Sequence, residues 1–144
     1  MRSLILFSFI VLALTGFKNP EAEVKWVSLD DAQQLAKESA KSIFIDFTAD
    51  WCGWCKVMDK NTFSDLEVAG FMNDNFYAVR LDYDSPDKLD FFGEKLTARE
   101  LGAKYRVPGL PTILLLSSDS KKSKKLVGYK KPEPFLDGLK QFVK

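Results

Sequence analysis

Two rhythms of apolar side chains run along the chain. Residues 43–48 (IFIDFT) and 76–82 (FYAVRLD) are short, rich in β-branched and aromatic residues, and apolar on both faces, which predicts strands buried inside a sheet. Residues 24–27, 112–116 and 125–129 complete five strands, the last two joined as a hairpin through the polar turn 117–124. Elsewhere the apolar positions repeat at helical spacing. Ser28 is a candidate N-cap for a helix over 30–39 whose apolar face is Leu29, Ala32, Leu35 and Ala36. Ser64-Asp65-Leu66-Glu67 and Thr97-Ala98-Arg99-Glu100 are capping boxes that predict helices over 64–72 and 97–105, and Pro132 opens a last helix to Val143. A further helical stretch runs from Cys52 to about Lys60. Residues 83–96, with Pro86, Phe91, Phe92 and Gly93, fit neither rhythm and predict an irregular connection. The order β-α-β-α-α-β-α-β-β-α implies one α/β domain, a central mixed β-sheet of five strands with helices on both faces.

The amino terminus breaks from this pattern. Leu4 to Leu14 read LILFSFIVLAL behind Arg2, apolar on all sides, and are followed by Thr15, Gly16 and Lys18-Asn19-Pro20. Crossing a bilayer core takes roughly 20 apolar residues, so this shorter run is expected to be a secretory signal and leader over residues 1–22, with the folded domain over 23–144. The small-residue pattern expected at a cleavage site is imperfect. The chain is therefore expected to be exported, and tethered to the membrane if the signal is retained.

Composition narrows the chemistry. The 144 residues are 46% hydrophobic and 28% charged with only two cysteines, which excludes a disordered chain and a disulfide-stapled mini-protein. There is no histidine, so an imidazole base, a Ser-His-Asp triad and an imidazole-bound metal are excluded together. A formal charge of +1 offers no footprint for nucleic acid, and the domain is expected to be monomeric.

The two cysteines lie in Trp51-Cys52-Gly53-Trp54-Cys55-Lys56, directly after a predicted central strand. As a staple the pair would close a four-residue loop, contributing only roughly 2 kcal/mol on the loop-entropy relation. Two thiols without histidine make a poor zinc site, whereas a two-thiolate Cu(I) site remains open. A redox pair accounts for the placement best. Unpaired N–H groups at the start of the helix would stabilise Cys52 as a thiolate below the free-cysteine pKa of about 8.5, making it the nucleophile, and Cys55, one turn later and more enclosed, the resolving thiol.

Asp46 interrupts the apolar strand on the face of Phe44 and Thr48. If buried, its pKa rises and it can take the Cys55 proton during resolution; the alternative is a strand-end carboxylate facing water. Trp51 and Trp54 either pack in the ordinary way or meet an apolar partner. Phe91 and Phe92 are expected to cover the core, and the run Lys121-Lys122-Ser123-Lys124-Lys125 to be a solvated loop.

The segment IDFTADWCGWCK resembles the active-site strand, turn and helix of the thioredoxin superfamily, and Val107-Pro108-Gly109-Leu110-Pro111-Thr112 resembles its second hallmark. The resemblance covers residues 24–143. It implies a thioredoxin-like fold, a cis proline at Pro111, a buried catalytic Asp46 approached by Arg80 where a Lys is common, and a strand glycine at Gly128. It also implies a substrate groove lined by Leu110, and Trp51, Gly53 and Trp54 are the further substrate-binding candidates. ADWCGWCKVMDKNTFSD with GLPTILL is similar to the C-terminal periplasmic domain of DsbD-type proteins and to exported stand-alone thioredoxin-like proteins. The implied function is an exported, periplasmic thiol–disulfide oxidoreductase, working as a reductant or electron relay. Its redox group is its own Cys52–Cys55 disulfide, with no other cofactor and no metal, and its partners are protein disulfides and an upstream thiol donor, membrane-bound or free. The alternative is an exported Cu(I)-binding module for metalloprotein assembly. Three departures stand out: the transmembrane conduit is absent from this sequence, Trp54 replaces the Pro of common thioredoxins, and residues 85–96 are longer than the corresponding connection.

Overall fold

The computed structural model describes residues 23–144; the proposed signal and leader lie outside the described residues. Strands β1 (Trp26–Val27), β2 (Ser42–Thr48), β3 (Phe76–Asp82), β6 (Thr112–Leu116) and β7 (Ser123–Val127) form one sheet in the order β1-β3-β2-β6-β7. β2 runs parallel to β3 and antiparallel to β6, so it is the central strand, as its two-faced apolarity predicts. Helices α1 (Leu29–Glu38) and α4 (Ala98–Lys104) supply apolar residues to one face. Helices α2 (Gly53–Met58), α3 (Leu66–Asn75) and α5 (Pro132–Val143) cover the other.

The two faces are packed differently. On the α2 side Phe44 meets Trp26, Phe63, Phe76 and Phe135 edge to face, with ring centroids 6.0–6.2 Å apart. The opposite side is largely aliphatic, with Ile43, Ile45, Leu114 and Leu116 against Leu29, Ala32 and Leu101. Alternation along β2 places Asp46 on the aromatic side with Phe44.

Several expectations need correcting. The cap of α3 is Asp65, whose carboxylate accepts from the Glu67 and Val68 N–H groups, while Ser64 donates to the Lys60 carbonyl. Between α2 and α3 the chain widens into a π-turn over Asp59–Phe63, so the first helical stretch does not stop at Lys60. The connection expected to be irregular holds a small hairpin of β4 (Leu89–Phe91) and β5 (Glu94–Leu96). Its two-residue turn has Phe92 at φ 51° and Gly93 at φ 89°, a primed geometry that reverses the strands tightly. The buried Gln33 of α1 locks this turn, donating to Asp90 O at 2.8 Å and accepting from Phe92 N–H at 2.6 Å. Phe91 is buried but Phe92 is 39% exposed, so only the first of the pair covers the core. β7 starts and ends two residues earlier than expected.

The lysine run also differs from a solvated loop. Lys122 donates to Phe142 O at 2.7 Å, near the end of α5, and Lys125 donates to Tyr105 O and Arg106 O at 2.7 and 2.8 Å, just past α4. Ammonium groups at helix C-termini satisfy orphan carbonyls and oppose the negative end of the dipole. Among the described residues no helix is long and apolar enough to cross a membrane.

Candidate active site

Central strand β2 delivers the chain to the edge of the sheet, where residues 49–52 turn into α2. Cys52 is the N-cap of that helix: the Cys55 N–H donates to Cys52 Sγ at 3.2 Å, and the turn is closed by Cys52 N–H to Ala49 O at 3.0 Å. Cys52 and Cys55 form a disulfide with a Cα–Cα distance of 5.3 Å. The expected inequality in their enclosure is absent. The residues are 3% and 4% exposed, both packed with Ala49 and with the half-buried Leu110. Asp50, Trp51, Gly53 and Trp54 are exposed around the turn.

In β2, two residues before its end, Asp46 is 2% exposed and its pKa is pushed up to about 6. Burial is the dominant cause, opposed by Arg80, whose Nε donates to Asp46 Oδ2 at 3.1 Å. Register explains the meeting, since Asp46 and Arg80 are direct partners in the parallel β2–β3 ladder and so share a face. Arg80 also binds Asp59 on the π-turn and lies over the Trp26 ring at 4.1 Å. The solvent-facing alternative for Asp46 is thereby excluded, and among the described residues no buried side-chain polar atom lacks a partner.

The second motif lies beside the disulfide. The Leu110–Pro111 peptide is cis, and Pro111 is buried. Thr112 Oγ donates to Gly109 O at 2.6 Å, and the Gly128 N–H donates to Pro111 O at 2.9 Å, tying this loop to the end of β7. Gly128 has φ 77°, a conformation that favours glycine.

Four contacts at the rim were missed from sequence. The Trp51 indole N–H donates to Asp84 Oδ2 at 2.6 Å, Asp84 pairs with Arg99, and Arg99 lies over the Tyr83 ring at 4.6 Å. Trp54 stacks on Tyr129 with centroids 5.4 Å apart and planes 25° from parallel. Asp84 follows the C-terminal end of parallel strand β3, the edge where α/β sheets gather function, and that position was the available signal. Tyr129 had only its place after Gly128 to mark it.

The thioredoxin-like domain family matches residues 29–142. The chain belongs to that family. Among thioredoxin-like relatives, the thiol:disulfide interchange protein DsbD of Pseudomonas sp. (strain JR1 / K1) is 33% identical over 118 residues, which is 81% of this chain and 18% of that protein. The chain thus spans less than a fifth of that much longer relative. Among solved structures, the oxidised C-terminal domain of Neisseria meningitidis DsbD is 26% identical with a TM-score of 0.61, covering 78% of this chain and 90% of that one. A putative disulphide-isomerase from Bacteroides thetaiotaomicron is 29% identical with a TM-score of 0.67, covering 85% and 94%. The chain thus combines the family's fold with a helix-capping Cys52–Cys55 disulfide.

Proposed function

We propose that this thioredoxin-like domain is exported to the bacterial periplasm by residues 1–22 and there reduces protein disulfides, as a monomeric reductant or electron relay using no cofactor beyond Cys52 and Cys55. The observation that carries the reading is the N–H of Cys55 aimed at Cys52 Sγ at the start of α2, a donor that favours sulfur as an anion over a thiol.

In the reduced protein the Cys52 thiolate attacks one sulfur of a partner disulfide. A Cys52–partner disulfide forms, and the other partner sulfur leaves as a thiolate and takes a proton. Cys55 then loses its proton to Asp46, directly or through water, and attacks Cys52 Sγ. The mixed disulfide breaks, the second partner sulfur leaves and is protonated, and the Cys52–Cys55 bond closes. Two electrons have passed to the partner, and an upstream dithiol restores them by the reverse exchange. A carboxylate with a pKa of about 6 is nearer to a thiol than an ordinary aspartate is, which suits it to this transfer. The cis-proline loop, with Leu110 half-buried against the cysteines, and the exposed Trp51, Gly53 and Trp54 supply the surface that meets the partner chain.

The names of the DsbD relatives support interchange with protein thiols. Measuring the Cys52–Cys55 reduction potential tests the direction. A value near roughly −270 mV is expected, and one near about −120 mV would make the protein an oxidant. Stoichiometric copper binding without disulfide reduction would replace this reading with Cu(I) carriage.

A further inference from the structure

The Trp54–Tyr129 stack joins two segments 75 positions apart and has no role in the exchange steps. Tyr129 is fixed from both sides. The residue before it donates its N–H to Pro111 O at 2.9 Å, and the residue after it accepts from the buried Thr62 Oγ on the π-turn at 2.6 Å. Tyr129 itself is half-buried against the aromatic core, so it cannot follow Trp54 outward. Trp54, between the two cysteines, is 61% exposed despite that stack, so one face of the indole rests on Tyr129 and much of the remainder meets water. An exposed, immobilised ring beside a reacting disulfide is an unfinished aromatic stack.

Resting on the oxidoreductase reading, we propose that Trp54 and Tyr129 form a substrate-selecting shelf, with Tyr129 a specificity-determining residue. The shelf takes an aromatic side chain adjoining the partner's cysteine, so the preferred substrates are protein disulfides flanked by Phe, Tyr or Trp. Tyr129 acts by holding the indole flat and open, sparing the ordering cost that a free Trp54 would incur when a third ring stacks on it.

The test uses the reduced protein and three glutathionylated peptides, with Phe before the cysteine, Phe after it, or Ser on both sides, followed by stopped-flow rate constants. Each variant's Phe-to-Ser rate ratio is its own internal reference, which removes any general change in activity or folding. The wild type is expected to favour one Phe peptide by roughly three- to tenfold, the range a stacked aromatic pair supplies. Tyr129→Ala and Trp54→Ala should bring the ratio close to one, and Tyr129→Phe should keep it. No wild-type preference at either position, or a preference surviving both Ala variants, overturns the shelf. A wild type that reduces neither these peptides nor hydroxyethyl disulfide overturns the oxidoreductase reading and the shelf with it.

Discussion

Two carboxylates meet arginines on either side of the active-site turn, and their surroundings give them different work. Asp46 and Arg80 are paired on β2 and β3, the aspartate in an aromatic interior where burial outweighs the arginine and raises its pKa. Asp84 and Arg99 lie at the rim, their side chains 40% and 60% exposed, where such a pair contributes about 0–1 kcal/mol. There the carboxylate serves to hold the Trp51 indole. The interior pair sets where a proton resides; the exterior pair sets where a ring points.

The strongest way to separate floor from rim is to remove the sulfurs that lie between them. Cys52→Ser should abolish turnover, whereas Cys55→Ser should accumulate a covalent mixed disulfide visible on a non-reducing gel. Turnover by Cys52→Ser would overturn the assigned order. Phe44→Ala removes the hub of the aromatic floor and should cost about 3–5 kcal/mol in denaturant unfolding. A loss under about 1 kcal/mol would mean the floor is looser than its packing implies.

Asp46→Asn should act in two directions. The raised pKa means that the stability associated with Asp46 is fully present below about pH 4 and is lost as pH rises through about 6, because the folded state disfavours the charge. The Asn variant escapes that loss, so above pH 7 it should be more stable than wild type by about 3 kcal/mol, from a displacement of roughly two pH units. Its resolution step should slow by about a hundredfold and lose its pH dependence near 6. Equal stability at pH 8, or an unchanged rate profile, would return Asp46 to a structural role.

Away from the floor the effects shrink. Thr97→Ala breaks the capping box of α4 and should cost about 1 kcal/mol in stability. Arg99→Ala should change stability by less than about 1 kcal/mol, yet broaden the orientations of Trp51, read as lower fluorescence anisotropy. An unaltered anisotropy would show that Asp84 holds the indole unaided.

What was legible in the sequence follows the same division. The floor is built from strands whose patterns are strong: β2 and β3 read as buried because both faces are apolar, and Asp46 stood out as the one charge in β2. The cysteine pair and Pro111 were marked by motifs. The partners around them were not, because their meetings depend on register and loop path. Asp84 reaches Trp51 only through the loop after β3, and Tyr129 reaches Trp54 only after the hairpin returns, whereas Arg80 beside Asp46 was marked by the resemblance. The cap at Asp65 was misplaced by one residue because Ser64 and Asp65 are both good caps, and the π-turn beforehand shifts the choice. The β4–β5 hairpin was hidden because its turn uses Phe-Gly, with a bulky residue at positive φ held there by the distant Gln33.

Gly102 in α4 leaves no room for a side chain: a Cβ there would fall 2.6 Å from Tyr83 Cε2. That ring seats Arg99 and precedes Asp84, so a single methyl group at 102 would push against the mounting of Trp51 without touching a cysteine. Positions 83 and 102 must therefore change together, a larger residue at 102 requiring a smaller one at 83, so the mounting of Trp51 is tied to a helix that carries neither cysteine.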